Sequence, residues 1–228
     1  MCAQRDLTRR SFLGAGAAAV VLSGNDAGRG GLSADRVRLE EPGPMLPPVP
    51  AVLLTVNGAP GDPDHISVVW TFIIEGNPPH IGVAVGDEHV AGGLIERHGE
   101  FVLNVPVAEI VTPFDRVDMS SSRVGDKFEL SGLTRGKAVE VDAPTVEECP
   151  IHVECRVFDS LRVPPARTIF VAEVVATTVL DGAVDENERL RVDDVPFFGM
   201  TAGSGEFYTM GQAVGNIGKT VGRSDIRY

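Results

Sequence analysis

Gly218, Lys219 and Thr220 have the residue types and the order found at the end of a phosphate-binding loop. In such a loop a lysine and backbone amides hold the phosphates, which requires a buried strand before the loop and a helix after it. Ala213 stands where the first glycine of the motif belongs, and only eight residues follow Thr220. We therefore interpret the match as accidental and reject nucleotide hydrolysis. We expect instead a Gly-spaced tail that packs on the domain or on a partner subunit.

The histidines and cysteines form no motif for metal binding or nucleophilic catalysis. The histidines are His65, His80, His89, His98 and His152. Because no His-Glu-x-x-His or paired cysteine spacing occurs, a zinc site has little support. Neither a Gly-x-Ser-x-Gly elbow nor a dinucleotide-binding fingerprint is present. Cys149 and Cys155 are predicted on one strand about 20 Å apart, too far for a disulfide, which requires Cα atoms within about 7 Å.

Three sequence blocks carry the specific signal. They are GEFVLNVP from Gly99, DKFELSGLT from Asp126 and VDAPTVEECPIHVEC from Val141. In this order and at this spacing they resemble the flavin-reductase-like, FMN-binding split-barrel family, which includes flavoredoxins and small NAD(P)H:flavin oxidoreductases. The resemblance covers residues 46–180 well and the last 48 residues loosely. It implies FMN at the edge of the barrel, usually across a homodimer interface.

Four polar or aromatic residues follow from the resemblance as candidate FMN contacts. Lys127 is the strongest match, because a cation there neutralises a phosphate or the charge on reduced flavin. The alternative interpretation of Lys127 is a surface lysine that pairs with Asp126 or Glu129. Trp70, the only tryptophan, matches an aromatic near the flavin, although a lone tryptophan in a strand is equally a core residue. The other two are Ser67, with a hydroxyl for the phosphate or ring edge, and Asp64, which replaces a common asparagine.

Three further positions match the family less well. Val90 and Ala91 stand where a serine or threonine often precedes the first helix, so a phosphate hydroxyl is lost and helix N-terminal amides would have to bind the anion. Arg167 replaces a histidine; it stays charged and offers a planar fork, but it cannot shuttle a proton as histidine does. Phe198 falls loosely where an aromatic covers the flavin. The candidate cofactor-binding positions are Asp64, Ser67, Trp70, Ala91, Lys127, Arg167 and Phe198.

Composition and charge limit the class of protein. The 228 residues are 43% hydrophobic, which is typical of a globular chain long enough for one domain with a core. The formal net charge is −12. Such a surface repels phosphate backbones, so we expect no nucleic-acid partner.

The first 24 residues resemble a twin-arginine export signal. Arg9 and Arg10 precede Phe12 and an apolar run rich in Ala and Gly. Because a span requires about 20 apolar residues, the run is too short for a stable transmembrane helix. We expect export by the twin-arginine route to the periplasm or cell exterior. A cytoplasmic protein is the alternative if Met45 is the true start.

Residues 25–45 form a predicted linker rich in Gly and Pro, and the domain is predicted over residues 46–228. Within the domain, six short apolar runs with turn signals between them predict an all-β, six-stranded split barrel with small helices. The runs are 51–56, 66–72, 81–85, 101–105, 151–158 and 169–180. Helices are predicted over 88–98 and 107–117. Alternation around Cys155 predicts that His152, Glu154 and Arg156 lie on a wet or interface face.

The resemblance implies a flavoprotein oxidoreductase that transfers hydride or electrons from NAD(P)H to FMN. It also implies a homodimer, and a redox protein as a further partner. One alternative is a flavoredoxin-type carrier without NAD(P)H turnover, which fits export better because NAD(P)H is a cytoplasmic reductant. A second alternative is a non-enzymatic barrel, or one that binds the deazaflavin F420. No side chain is assigned as an acid or base, because the cofactor carries the chemistry.

Overall fold

The computed structural model describes residues 38–121, 125–202, 204–218, 220 and 222. The chain divides into two units, Met1–Pro42 and Gly43–Tyr228. All described helices and strands lie in the second unit. The twin-arginine segment, most of the linker and Lys219 lie outside the described residues. Within the described part of the chain, no helix is long and apolar enough to cross a bilayer.

One antiparallel sheet of seven strands forms the body of this unit. Its strands are β2 (Leu53–Val56), β3 (His65–Val68), β4 (Trp70–Gly76), β5 (Pro79–Gly86), β6 (Glu100–Val105), β9 (Ile151–Val163) and β10 (Arg167–Val179). Their order across the sheet is β3, β2, β6, β9, β10, β5, β4. The runs predicted from the sequence all contain strands, which confirms the mostly β split-barrel fold.

The sheet curls because its two edge strands are consecutive in the chain. Only Val69 separates β3 from β4, so the run predicted as one strand over 66–72 is divided at this residue. Neighbouring strands lie about 4.8 Å apart, and one residue cannot span an open sheet of seven. The two edges therefore meet at Val69. The predicted second strand thus serves both edges of the barrel, which accounts for seven strands where the sequence shows six runs.

Among the described residues, three α-helices and a short 3-10 helix pack on the barrel. They are α1 (Val90–His98), the 3-10 helix Ala108–Ile110, α2 (Val111–Met119) and α3 (Lys127–Ser131). Ala91, Leu94 and Ile95 of α1 join residues of five strands in one apolar cluster, which must be the barrel interior. Phe114 of α2 and Phe128 of α3 belong to a second cluster with Leu53, Ile66 and Phe198. The predicted helices agree with α1 and α2, whereas α3 was not predicted.

Two small sheets complete the fold. One contains β1 (Val49–Pro50), β11 (Phe198–Met200) and β12 (Phe207–Thr209), and the other contains β7 (Arg135–Gly136) and β8 (Thr145–Val146). Cys149 precedes β9 rather than lying on it, and both Cys149 and Cys155 are free thiols.

The prediction of a wet or interface face on β9 is wrong at Glu154, which is fully buried. The segment 137–144 covers this side chain, and Ala138, Val141 and Ala143 pack there in a third apolar cluster. The carboxylate of Glu154 accepts hydrogen bonds from the backbone amides of Val139, Glu140 and Val141 at 2.9, 2.6 and 3.1 Å. Burial of a carboxylate is tolerated when such donors replace water. Alternation along a strand shows which side faces the barrel interior, but not what covers the other side.

Candidate functional site

A cavity of about 590 Å³ lies between the loop before β3, the start of α1 and the start of α3. It is lined by Gly58, Ala59, Asp62, Pro63, Asp64, His65, Val90, Leu94, Gly125, Asp126 and Lys127. Segments that lie far apart in sequence therefore supply its walls. This cavity joins two of the predicted contacts, Asp64 and Lys127.

Lys127 is the first residue of α3, and its side chain is buried in the wall of the cavity with only 7% of the residue exposed. Asp126 caps the helix by accepting a hydrogen bond of 2.9 Å from the amide of Phe128. The ammonium donates to the carbonyl oxygen of Val117 at 2.8 Å. Burial lowers the pKa of Lys127, and the nearby carboxylate of Asp118 acts in the opposite direction. An ammonium can donate three hydrogen bonds, so Lys127 can donate to a ligand anion as well as to the carbonyl oxygen of Val117.

Arg135 connects two carboxylates of the cavity wall and was not predicted from the sequence. Its Nη2 lies 2.5 Å from Asp126 Oδ2, and its Nε lies 3.6 Å from Asp64 Oδ2. Its guanidinium carbon lies 4.3 Å from the centre of the Phe128 ring, within the range of a cation–π contact. No spacing signal reveals this residue, because its partners meet it only after the loop before β3 and α3 have packed together.

His65 and Ser67 form a buried pair on β3, next to the cavity. Two residues apart on one strand, they face the same side, and His65 Nε2 lies 3.2 Å from Ser67 Oγ. His65 lines the cavity, whereas Ser67 lies behind it and is not part of the lining. Burial, followed by the charge of Lys127 and the proximity of His89, lowers the pKa of His65 to about 4. His65 is therefore neutral near pH 7. Its position two residues before Ser67, on the same side of a predicted strand, could have indicated from the sequence that it lies at the site.

The start of α1 contributes backbone rather than hydroxyl groups. Val90 lines the cavity, but the side chain of Ala91 is fully buried in the barrel interior. The Ala91 side chain therefore does not line this cavity, and the expected contact of this residue through its backbone amide stays a prediction. The N-cap residue His89 makes no side-chain capping hydrogen bond. First-turn amides of a helix without such a cap are suited to bind an anion.

Trp70 and Arg167 lie apart from the cavity lining, and each of them neighbours Ala84 on β5. Trp70 is opposite Ala84 in the register of β4 and β5 and is 41% exposed. Arg167 begins β10, and its Nη1 donates to the carbonyl oxygen of Ala84 at 3.2 Å. The two residues therefore flank β5, Trp70 from β4 and Arg167 from β10.

Phe198 belongs to neither group. It is buried on β11, and its ring makes edge contacts with Phe114 and Phe207 at centroid distances of 5.3 and 5.6 Å. Phe114 and Phe207 also contact each other at 5.6 Å. This triangle of rings belongs to the second apolar cluster, so within one protomer Phe198 packs in the core rather than against the cavity.

Comparisons with known proteins agree with this fold. Residues 47–194 match the family model described as flavin reductase like domain. The flavoredoxin of Desulfovibrio vulgaris (Miyazaki F) superposes with a TM-score of 0.73 and 22% identity, over 80% of this chain and 97% of that one. A flavoredoxin from Methanosarcina acetivorans gives 0.71 and 23%, over 82% and 100%. An FMN-binding domain of a flavin reductases-like enzyme from Shewanella baltica OS155 gives 0.62 and 23%, over 73% and 88%. Because the family model covers more than half of its residues, the chain belongs to the flavin reductase-like domain family.

Proposed function

We propose that this protein binds FMN, with the phosphate beside Lys127, and acts as an oxidoreductase that uses NAD(P)H. The observation that carries the proposal is the buried ammonium of Lys127 in the cavity wall, next to the start of α1. The cavity volume of about 590 Å³ lies in the range of about 300–1,000 Å³ typical of small-molecule sites. Bound FMN would supply the redox chemistry, and the protein would supply binding, orientation and charge.

The residues present fit a phosphate monoester. Lys127 offers a desolvated cation, and the first turn of α1 offers backbone amides. The carboxylates of Asp64 and Asp126 would repel an anion, but Arg135 contacts both. Neutral His65 offers a hydrogen bond without charge. These contributions favour an anionic group at the α1 and α3 end of the cavity.

We propose further that the protein is a homodimer that pairs through the β4 side of the sheet. Large apolar side chains are exposed on β4, at Trp70, Phe72, Ile73 and Ile74, and on β9, at Phe158 and Leu161. The Phe158 ring contacts the ring of His80 on β5, the neighbour of β4. Among the described strands β4 has one sheet neighbour, β5, so its other side is a sheet edge. Exposed apolar patches of this kind mark interaction sites. In such a dimer, Trp70 and Arg167 of one protomer would face the flavin held by the other, which accounts for their separation from Lys127 within one chain.

The test is a spectroscopic and kinetic comparison. Purified protein should show flavin absorbance or acquire it when FMN is added, and it should oxidise NADH or NADPH with FMN present. Lys127→Met should weaken FMN binding, whereas Lys137→Met, which changes an exposed lysine outside the cavity lining, should not. A protein that binds no FMN at all would overturn the proposal and favour a non-enzymatic barrel or an F420 binder.

A flavoredoxin-type electron carrier is the second candidate, favoured by the similarity in fold to two flavoredoxins. A carrier would hold FMN tightly and accept electrons from a reduced redox protein, but its steady-state oxidation of NADH and NADPH would be negligible. The same assay therefore separates the two functions.

We also propose export by the twin-arginine route, based on Arg9 and Arg10. Replacement of both by lysine should retain the protein in the cytoplasm, as judged by fractionation. An unchanged location would contradict export by this route and favour a start at Met45.

A further inference from the structure

Arg135 holds together two segments that bound the cavity. Asp64 lies in the loop before β3, and Asp126 caps α3; both line the cavity, and Arg135 contacts both carboxylates at 3.6 and 2.5 Å. The guanidinium also lies over the ring of Phe128, in the first turn of α3. An arginine fork suits such a position, because its charge is permanent and its donors point in fixed directions.

The charges of the cavity wall show what this contact does. The lining contains the carboxylates of Asp62, Asp64 and Asp126 and one ammonium, that of Lys127. Burial acts to raise the pKa of Asp126, but the hydrogen bond from Arg135 and further contacts outweigh it, so this pKa is lowered and the group is ionised near neutral pH. Without Arg135, an approaching phosphate would meet three carboxylates and one cation. Like charges at short range in a partly desolvated site repel strongly.

We propose that Arg135 is a positioning residue of the FMN site, acting through Asp64 and Asp126 rather than by contact with the ligand. It offsets part of the negative charge of these two carboxylates, so that the phosphate can approach Lys127. This inference rests on the proposed FMN function. It predicts that the importance of Arg135 depends on the ligand phosphate and on the Asp64 charge, which a purely structural role would not require.

The experiment measures the dissociation constants of FMN and of riboflavin, which lacks the phosphate, by fluorescence titration of the full chain. Arg135→Met should weaken FMN binding at least tenfold and change riboflavin binding by less than threefold. Asp64→Asn should tighten FMN binding about two- to fivefold, because it removes one of the carboxylates that repel the phosphate. The double variant should return to within about threefold of the wild-type FMN affinity. Arg135→Lys, which keeps the charge, should also remain within about threefold.

Three results would overturn the inference. Equal losses of FMN and riboflavin affinity in Arg135→Met, with no recovery when Asp64→Asn is added, would show that Arg135 only maintains the shape of the cavity. Wild-type FMN affinity in Arg135→Met would show that it has no role in the site. Absence of FMN binding by the wild-type protein would remove the proposed function, and this inference with it. If Arg135→Met does not fold, as judged by circular dichroism, the FMN-to-riboflavin comparison in Asp64→Asn and Arg135→Lys decides the question.

Discussion

Lys127 Nζ lies 2.8 Å from the carbonyl oxygen of Val117, so the cation of the candidate site also ties α3 to α2. The same side chain therefore has a structural and a binding role. The structural role adds to the sequence-based interpretation, in which Lys127 was a phosphate contact or a surface ion pair. Its burial and its direction towards Val117 do not agree with the surface alternative.

Replacement of Lys127 by Met should weaken FMN binding at least tenfold, because the cavity loses its ammonium while most of the apolar stem remains. It should also lower the free energy of unfolding by about 1 kcal/mol, since the Val117 carbonyl loses its donor. Isothermal titration and urea unfolding measure the two effects separately. Unchanged FMN affinity, equal to that of Lys137→Met, would exclude Lys127 from the site.

The pKa of His65 predicts a loss of stability in acid. The pKa of His65 is about 4 in the fold, against an ordinary value of 6.5, so the unfolded chain binds more protons between these two pH values. The contribution of His65 to the free energy of unfolding is fully present above pH 6.5. It decreases by up to about 3 kcal/mol as the pH falls to 4. Urea unfolding at pH 7 and pH 4 should show this extra loss in the wild type but not in His65→Gln. Equal losses in both proteins would contradict the assignment.

The sequence predicted the strands well because their apolar runs reflect burial on the barrel, a property of each segment alone. It also singled out Lys127, because the surrounding block is specific; this residue lines the cavity, and its contact with FMN stays a prediction. Arg135 and Glu154 were missed for a different reason. The role of each depends on a partner segment, the loop containing Asp64 for Arg135 and the cover at Val139–Val141 for Glu154, and no local pattern shows which segments meet.

The direction of side chains explains the remaining differences at the site. The resemblance to the family predicted that Ala91 and Phe198 lie near the flavin. In the structure Ala91 is buried in the barrel interior, and Phe198 packs with two other rings. Trp70 and Arg167 flank Ala84 from the two neighbouring strands, outside the Lys127 cavity. A sequence match assigns an element to a region of the fold, whereas contact depends on which face of that element a side chain occupies.

The proposed dimer predicts that Ile73→Glu yields a monomer. Ile73 is 78% exposed on the edge strand β4, and a carboxylate that the proposed interface covers would be buried without a partner, at a cost of several kcal/mol. Sedimentation velocity should show half the wild-type mass, with an unchanged circular dichroism spectrum. Val139→Glu, at a residue that is 70% exposed and lies on the segment 137–144, is the matched control and should remain dimeric. A dimer in both variants would place the interface elsewhere.

Glu154 provides a test of how the covering segment 137–144 is held. Both carboxylate oxygens accept backbone amides, one from Val139 and two from Glu140 and Val141. Glu154→Gln places an NH₂ group against at least one of these donors and removes the charge, so it should lower the free energy of unfolding by about 2–3 kcal/mol. Glu100→Gln is the control, because Glu100 is only partly buried and accepts one such bond, from Asp142 at 2.7 Å; its loss should stay below about 1 kcal/mol. Urea unfolding measures the loss of stability in each variant. Since Glu154 does not line the cavity, FMN affinity should stay at the wild-type value in both variants. Equal losses of stability would mean that the amides at 139–141 find other acceptors and that the apolar contacts of Ala138, Val141 and Ala143 alone hold the segment on the barrel.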